Sequence, residues 1–338
     1  MGKILCIGDL HFRESLGYSS YIEDGREGEK KEILDFIVSE VKDCEKVVML
    51  GDQLNARNNT SEVIRAFVEF IERFKDKELY ILGGNHEKRG NGKSAIDFLE
   101  EIKRPNLHVI IREIKKIGKM VFCPYFTKTE LDAKDTDEGL RKVLEQMPEG
   151  EMLFCHHAIS DTLVQSGIST NIFDEIVLPK EELEKRFRLV VGGHIHKPDA
   201  YDRTIVTGSI FNNEVGEDGK CIWKINEETL VYECIKLPGR KIMKIENPTK
   251  EYLETIDGKG TIVKIILTDK KIDIADIKKT GKRFDACIIS EQYNTERKKN
   301  KEYELLDFSI ENLLIAYSKE KKVDIKKLTE GFNLIKNI

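Results

Sequence analysis

Five short apolar runs punctuate the first two-thirds of the chain, at residues 4–7, 47–50, 80–82, 152–155 and 189–191. Each has strand length and little alternation of apolar and polar positions, which predicts strands covered on both faces. Between them the apolar spacing changes to three and four. Residues 32–41 place Ile33, Leu34, Ile37 and Val41 on one stripe, and residues 61–74 do the same with Val63, Ile64, Phe67, Phe70, Ile71 and Phe74. Both read as amphipathic helices, the second with Thr60 or Ser61 as its N-cap. Residues 94–102, 138–147 and 180–187 read as shorter helices. Strand and helix alternate, so this part is expected to be α/β.

After Pro198 the pattern changes. Residues 204–207, 221–225 and 230–235 read as consecutive antiparallel strands, with Gly216-Glu217-Asp218-Gly219 as a hairpin turn. A linker is expected near Pro238-Gly239. Residues 242–290 then read as a small α+β unit, with strands at 262–267 and 286–290 around a helix at 274–279. Residues 305–337 repeat apolar positions at helical spacing. The expected division is 1–237, 238–300 and a helical tail at 301–338.

Composition narrows the class. The chain has 338 residues, 40% hydrophobic and 35% charged, the balance of a soluble globular protein. Its apolar runs fall far short of the roughly 20 residues that cross a membrane, so no membrane association is expected. No signal-peptide apolar region precedes the first strand. Seven cysteines are scattered without a C-x-x-C pair. That usage points to a reducing, cytoplasmic setting and excludes a disulfide framework and a thiolate zinc site. The net charge of −5 is uneven: residues 1–236 carry −10 and residues 237–338 carry +5. An acidic first part disfavours a polyanionic ligand unless bound cations offset it.

The chemistry lies at the ends of the five apolar runs. They continue into Gly8-Asp9-Leu10-His11, Gly51-Asp52, Gly83-Gly84-Asn85-His86-Glu87, His156-His157 and Gly193-His194-Ile195-His196. Six of the seven histidines are in these segments; only His108 falls elsewhere. In open α/β sheets ligands bind beyond the carboxyl ends of strands. Asp9, His11, Asp52, Asn85, His156, His194 and His196 therefore form one candidate ligand set. Carboxylate, imidazole and amide without thiolate suit Mn²⁺, Fe²⁺ or Zn²⁺. Seven protein ligands are too many for one ion with an open position. Two ions about 3.5–4 Å apart, sharing a carboxylate, would use them all and could clamp a phosphoryl group.

The ordered set D-x-H, G-D, G-N-H-E, H and G-H-x-H resembles the calcineurin-like metallophosphoesterases over roughly residues 4–210. Within them it looks most like the SbcD-type DNA-repair nucleases, and its length and helical tail are similar to those of phage recombination nuclease subunits. The resemblance implies a two-sheet β-sandwich flanked by helices, a small α+β capping domain at 238–300, and a tail at 301–338 that binds an ATPase. It implies a two-metal DNA nuclease, a 3′-to-5′ exonuclease with endonuclease activity, acting in DNA repair or recombination. Its implied partners are DNA, an SMC-like coiled-coil ATPase and a second copy of the chain, with 62–74 a candidate dimer helix. The implied location is the cytoplasm, including that of an infected host. A small-molecule phosphodiesterase or phosphatase on the same dinuclear centre is the alternative.

The same resemblance implies roles. Asp9, His11 and His196 would hold one ion, most often Mn²⁺ in such centres, and Asn85, His156 and His194 the other. Asp52 would bridge them. His86 would stabilise charge on the phosphoryl group or protonate the leaving oxygen, with Glu87 orienting it. His157 is assigned to the surrounding shell, although a shift of one residue would exchange it with His156. Asn55 stands where the family commonly has His or Asp, and can hydrogen-bond a phosphate without donating a proton. Arg57 is expected near the crevice as a phosphate or DNA contact. Lys88-Arg89-Gly90-Asn91-Gly92-Lys93 has the composition of a backbone-phosphate loop. The polar stretch 12–30 reads either as a solvated loop or as one offering Arg13 and Tyr18 to nucleic acid. On a strand, residues i and i+2 lie about 6.5–7 Å apart, so His194 and His196 are expected to serve different ions.

Overall fold

The computed structural model describes residues 2–90, 92–162, 170, 175–217 and 219–292. In chain order its first half comprises β1 (Lys3–Ile7), α1 (Glu27–Glu40), β2 (Lys46–Met49), α2 (Ser61–Glu72), β3 (Glu78–Leu82), a small hairpin of β4 (Lys88–Gly90) and β5 (Lys93–Ser94), then β6 (Leu107–Ile110), β7 (Lys115–Ile117), β8 (Met120–Cys123), α3 (Thr136–Gln146) and β9 (Met152–Cys155). There follow α4 (Lys180–Arg186), β10 (Leu189–Gly192), β11 (Asp199–Tyr201), β12 (Thr204–Val206), β13 (Cys221–Asn226) and β14 (Tyr232–Lys236). A last group holds β15 (Lys241–Glu246), α5 (Lys250–Thr255), β16 (Thr261–Leu267), α6 (Ile274–Gly281) and β17 (Ala286–Glu291). The residues up to Gln292 form one compact unit. The expected tail at 301–338 lies outside the described residues.

The fold is a mixed α/β sandwich, as the sequence pattern and the resemblance imply. One sheet runs β14-β13-β1-β2-β3-β6 and the other β11-β12-β10-β9-β8-β7. The pleat sends alternate side chains of each strand to opposite faces, and both faces are apolar. Ile4 and Cys6 of β1, Val48 of β2, Phe122 of β8, and Met152 and Phe154 of β9 meet between the sheets. Leu5, Ile7, Val47 and Met49 face the other way, onto α1 and α2. Val121, Leu153 and Cys155 face α3 and α4. Helix, sheet, sheet and helix are thus four layers, which is why the central strands show no alternation in sequence. Tyr80, Phe122 and Phe154 stack across the middle, with ring centroids 4.8 and 5.3 Å apart.

Four expectations change. Residues 94–102 are not an α-helix: Ser94 belongs to β5, and a 3₁₀ turn spans Asp97–Glu101. Arg112 pairs with the Asp97 and Glu100 carboxylates at 2.6 and 2.8 Å. The strands after Pro198 are not a consecutive meander. β12 pairs in parallel with β10 and antiparallel with β11, whereas β13 crosses to the other sheet beside β1. Gly216 and Gly219 therefore sit in a sheet-to-sheet crossing rather than a hairpin, and Asp218 lies outside the described residues. The small unit has a further strand and helix, β15 and α5, and its three strands β15-β16-β17 are parallel.

The stretch 12–30 is a structured wedge rather than a solvated loop. Tyr18 and Ile22 pack against Ile242, Ile262 and Ala286 of the small sheet. Arg26 is fully buried and donates from Nη1 to the carbonyls of Gly17 and Asn212 at 2.6 and 2.9 Å. Its remaining donors meet Glu29 at 2.8 and 2.6 Å. Glu29 in turn accepts from the Arg240 backbone N–H and guanidinium. Helix α1 accordingly begins at Glu27, five residues before its apolar stripe suggests.

Candidate metal centre

The strands that end in the motifs run in parallel within each sheet: β1, β2 and β3 in one, β9 and β10 in the other. Their carboxyl ends therefore deliver Asp9, Asp52, Asn85, His156 and His194 to one crevice. The first sheet's loops are laced together by His11 N–H donating to the Asp52 carbonyl at 2.8 Å and by an Asp9–Ser209 bridge. Two glycines are required by space. A Cβ on Gly51, whose φ is +101°, would collide with the His156 ring, and one on Gly84 would collide with Asp52.

All seven predicted ligands meet there. Asp9, His11 and His196 form one group of potential ligand atoms within 4.8 Å, and Asp52, His156 and His194 a second. Asn85 joins the second, its Oδ1 lying 3.0 Å from both His156 Nε2 and His194 Nδ1. Asp52 stands between the groups, with Oδ2 3.4 Å from His156 Nε2 and 3.8 Å from His11 Nε2. His11 Nε2 and His196 Nε2 approach to 2.9 Å.

The proton inventory says what this arrangement lacks. His156 Nδ1 donates to the Leu50 carbonyl at 2.5 Å, so its Nε2 presents a lone pair. His194 Nε2 donates to Glu175 Oε1 at 2.8 Å, which leaves its Nδ1 bare. His196 Nδ1 donates to Glu217 Oε1 at 2.9 Å, which leaves its Nε2 bare. These lone pairs converge on Asn85 Oδ1 and two carboxylates, so acceptor faces acceptor. Asp9 Oδ2 and His11 Nδ1 are buried without any partner. Burial and the nearby Asp52 charge push the Asp9 carboxyl well above its ordinary range. Burial opposes the Asp52 charge too, but His156 and His11 hold that carboxyl low. Burial also keeps His11 neutral, as a ligand must be. Buried carboxylates and imidazole nitrogens crowded this closely, with Asp9 Oδ2 left without a partner, fit divalent cations.

The backbone is bent to hold these side chains. His11, Asp52 and His194 have φ of +44°, +47° and +76°, left-handed values that cost about 1–3 kcal/mol each for residues other than glycine. His194 and His196 do go to different groups, but for another reason than the expected one. β10 ends at Gly192, and the left-handed turn at His194, not strand alternation, separates the two rings.

The rest of the predicted set divides. His86 is half-exposed at the rim; its Nδ1 donates to the Asn55 carbonyl at 2.9 Å and its backbone N–H to Asp52 Oδ1 at 2.9 Å. Asn55 thus acts through its backbone, as the group that orients His86. Glu87 does not orient His86: its buried carboxylate accepts the backbone N–H groups of Gly84, Gln53 and Leu54 and staples two ligand loops together. Burial beside Asp52 pushes Glu87 up to about 8, against those three donors. His157 points away from the cluster, its Nδ1 donating to the Ile176 carbonyl at 3.2 Å and its Nε2 accepting the Phe126 N–H at 3.1 Å. Burial pulls it down to about 3. His157→Ala is therefore expected to cost about 1–3 kcal/mol of stability, through unsatisfied backbone groups, with no change in metal content. His156→Ala should release an ion; elemental analysis and thermal melts of the two variants check this pair. Arg57 and Arg89 are exposed, tied by Arg89 Nε donating to the Arg57 carbonyl at 2.7 Å.

Three contributors carry no signal in the sequence. Glu175 and Glu217 hold the outer nitrogens of His194 and His196, and Tyr125 donates to Glu175 Oε2 at 3.2 Å. Each is far from the motif it supports. Burial opposes the charge of Glu217, but the His196 hydrogen bond and Lys220 hold it down to about 2.

A sequence-family model, calcineurin-like phosphoesterase, matches residues 2–198, the stretch that contains all seven clustered ligands. No curated protein matches the chain. Among solved structures, one is 12% identical over 70% of this chain and 99% of its own, with a TM-score of 0.43. Another, from a novel archaeal phosphodiesterase, is 12% identical over the same shares, with a TM-score of 0.34.

Proposed function

The chain belongs to the calcineurin-like phosphoesterases, metal-dependent hydrolases, and from that premise we propose that it is a two-metal phosphodiesterase whose substrate is DNA. The observation that carries the reading is the open rim. The half-exposed His86 ring lies against Asp52 and His11 of the two ligand groups, and the exposed Arg57, Arg89 and Lys93 follow it or Asn55 within a few residues along the chain. No acid pairs with Arg57 or Lys93 among the described residues. Cations placed beyond the reacting phosphate suit a substrate with further phosphates on either side.

Two divalent ions, when bound, would supply an activated water and neutralise charge on the phosphoryl oxygens. This chain's residues do the rest. Asp9, His11 and His196 would hold one ion, Asn85, His156 and His194 the other, and Asp52 both. His86, fixed with Nδ1–H on the Asn55 carbonyl, turns Nε2 toward the cluster, 3.9 Å from Asp52 Oδ2. In its protonated form Nε2–H donates to a phosphoryl oxygen or to the leaving oxygen. As in the nucleases that the sequence resembles, we place the chain in DNA repair or recombination beside an SMC-like ATPase bound through residues 301–338.

The test pairs two substrates. With Mn²⁺, end-labelled linear DNA is expected to shorten from its 3′ end. The double variant Arg57→Ala/Lys93→Ala should raise KM for DNA and leave hydrolysis of bis(p-nitrophenyl) phosphate nearly unchanged. Turnover of the small ester with intact DNA, even with the ATPase present, would make this a small-molecule phosphodiesterase or phosphatase instead.

A further inference from the structure

The segment that crosses from β12 to β13 carries a buried charge pair that neither the family motifs nor the ligand set uses. Glu217 and Lys220 have side chains only 2% and 3% exposed, and they lie 3.3 Å apart directly behind His196. An isolated buried pair of this kind does not reward the fold, since desolvating two charges offsets most of their attraction. What surrounds the pair gives it a purpose.

Lys220 has three N–H donors, and each has an acceptor: the His196 carbonyl at 2.8 Å, the Ser209 hydroxyl and Glu217 Oε2. Glu217 divides its oxygens. Oε1 accepts from His196 Nδ1 at 2.9 Å, and Oε2 accepts the Asn213 N–H at 3.1 Å. Lysine therefore fixes the backbone of His196 while glutamate fixes its ring. His196 needs both. It follows the end of β10, and its ring is 29% exposed. His156, by contrast, is fully buried and leans on a backbone carbonyl.

We propose that Glu217 and Lys220 are positioning residues for His196, and that Glu217 sets the affinity of the ion held by Asp9, His11 and His196. The proposal rests on the two-ion reading of the centre. The carboxylate keeps the Nδ1–H tautomer, aims Nε2 at the ion and makes the imidazole a stronger donor. Lys220 holds Glu217 in place at 3.3 Å and, through its bond to the His196 carbonyl, holds that peptide against rotation.

Calorimetric titration of the full chain with Mn²⁺ tests it, with metal retained after desalting as a second readout. Wild type is expected to bind two ions. Glu217→Gln should weaken one of them about 10- to 100-fold, the usual scale for loss of a partner behind a ligand, and leave the other unchanged. His196→Ala should weaken the same ion, and the double variant should lose no more than His196→Ala alone, because both act through one contact. If Glu217→Gln is too unstable to titrate, Glu217→Asp keeps the charge beside Lys220 but retracts it from the ring, and must weaken the same ion. Folded variants that bind both ions as wild type does, or losses that add in the double variant, would overturn the proposal. Wild type binding fewer than two ions would overturn the two-ion reading itself, and this inference with it.

Discussion

His86→Ala lowers kcat on a phosphodiester by about 10²–10⁴-fold, the usual contribution of a positioned proton donor, while the chain still binds two ions. The expectation rests on how His86 is attached. Its ring touches protein at the Asn55 carbonyl, and the bond that steadies Asp52 comes from its backbone N–H. Alanine keeps that N–H. The ring lies edge-on to His11 at 4.6 Å between centroids, so its removal opens space toward solvent rather than in the core. A rival role has a geometric basis, since His11, Asp52 and His86 also bring ligand atoms within 4.8 Å of one another. If His86 were a ligand, the variant would lose an ion together with its activity. Steady-state kinetics on bis(p-nitrophenyl) phosphate, run beside elemental analysis of the same preparation, separate the two roles. Loss of metal from His86→Ala would sink the assignment as proton donor.

What the sequence makes legible follows from how local each signal is. The seven clustered side chains were readable because each sits within a few residues of a strand end, where a buried apolar run stops, at glycine in every case but His156. The central strands were readable as doubly covered, and β1, β2, β3, β9 and β10 were all found close to their expected bounds. Other strands escaped notice: β8 was passed over although Met120–Cys123 is wholly apolar, and others have weaker apolar content. β7, β11 and β15 contain Lys-Lys-Ile, Asp-Ala-Tyr and Lys-Ile-Met-Lys-Ile-Glu, and no long apolar run marks them. The crossing from β12 to β13 looked like a hairpin because glycine pairs mark turns of either kind. The choice of partner sheet depends on residues far apart in the chain, such as Cys6 opposite Trp223.

The supporting groups were illegible for the same reason. Glu217 is 21 residues from His196 and Glu175 is 19 residues from His194, at no fixed spacing. Sequence pattern could not distinguish a solvated glutamate from one buried behind a ligand. It also misjudged Glu87, whose adjacency to His86 suggested contact. The backbone instead turns the two side chains apart, and Glu87 spends its oxygens on three N–H groups. Apolar periodicity likewise missed the first turn of α1, because the buried residue there is a carboxylate.

That carboxylate underlies the second large effect. Glu29→Ala destabilises the chain by about 3–5 kcal/mol, the cost of removing one member of a buried ion network and leaving its partners uncompensated. Among the described residues, the wholly buried Arg26 pairs with no other acid, and Arg240 would keep only Asp285. Alanine is the best helix former, so a loss at this position cannot be charged to helix propensity; Glu32→Ala, on the exposed face of the same helix, should change little. The network also makes stability depend on acid. Burial would raise the Glu29 carboxyl, but hydrogen bonds and charge from Arg26, then Arg240, hold it below its ordinary value near 4.5. A carboxylate depressed in the folded state stabilises fully above its unfolded pKa, and that stabilisation is lost as pH falls through the folded value. Wild type should therefore lose melting temperature steeply below about pH 4.5, and Glu29→Ala should start lower and fall less over the same range. Thermal melts of both proteins from pH 7 to pH 3 give the answer directly. Parallel curves would show that Glu29 does not carry the acid response, and equal midpoints at pH 7 would show that the Arg26–Glu29–Arg240 network does not hold the wedge between the sandwich and the small sheet.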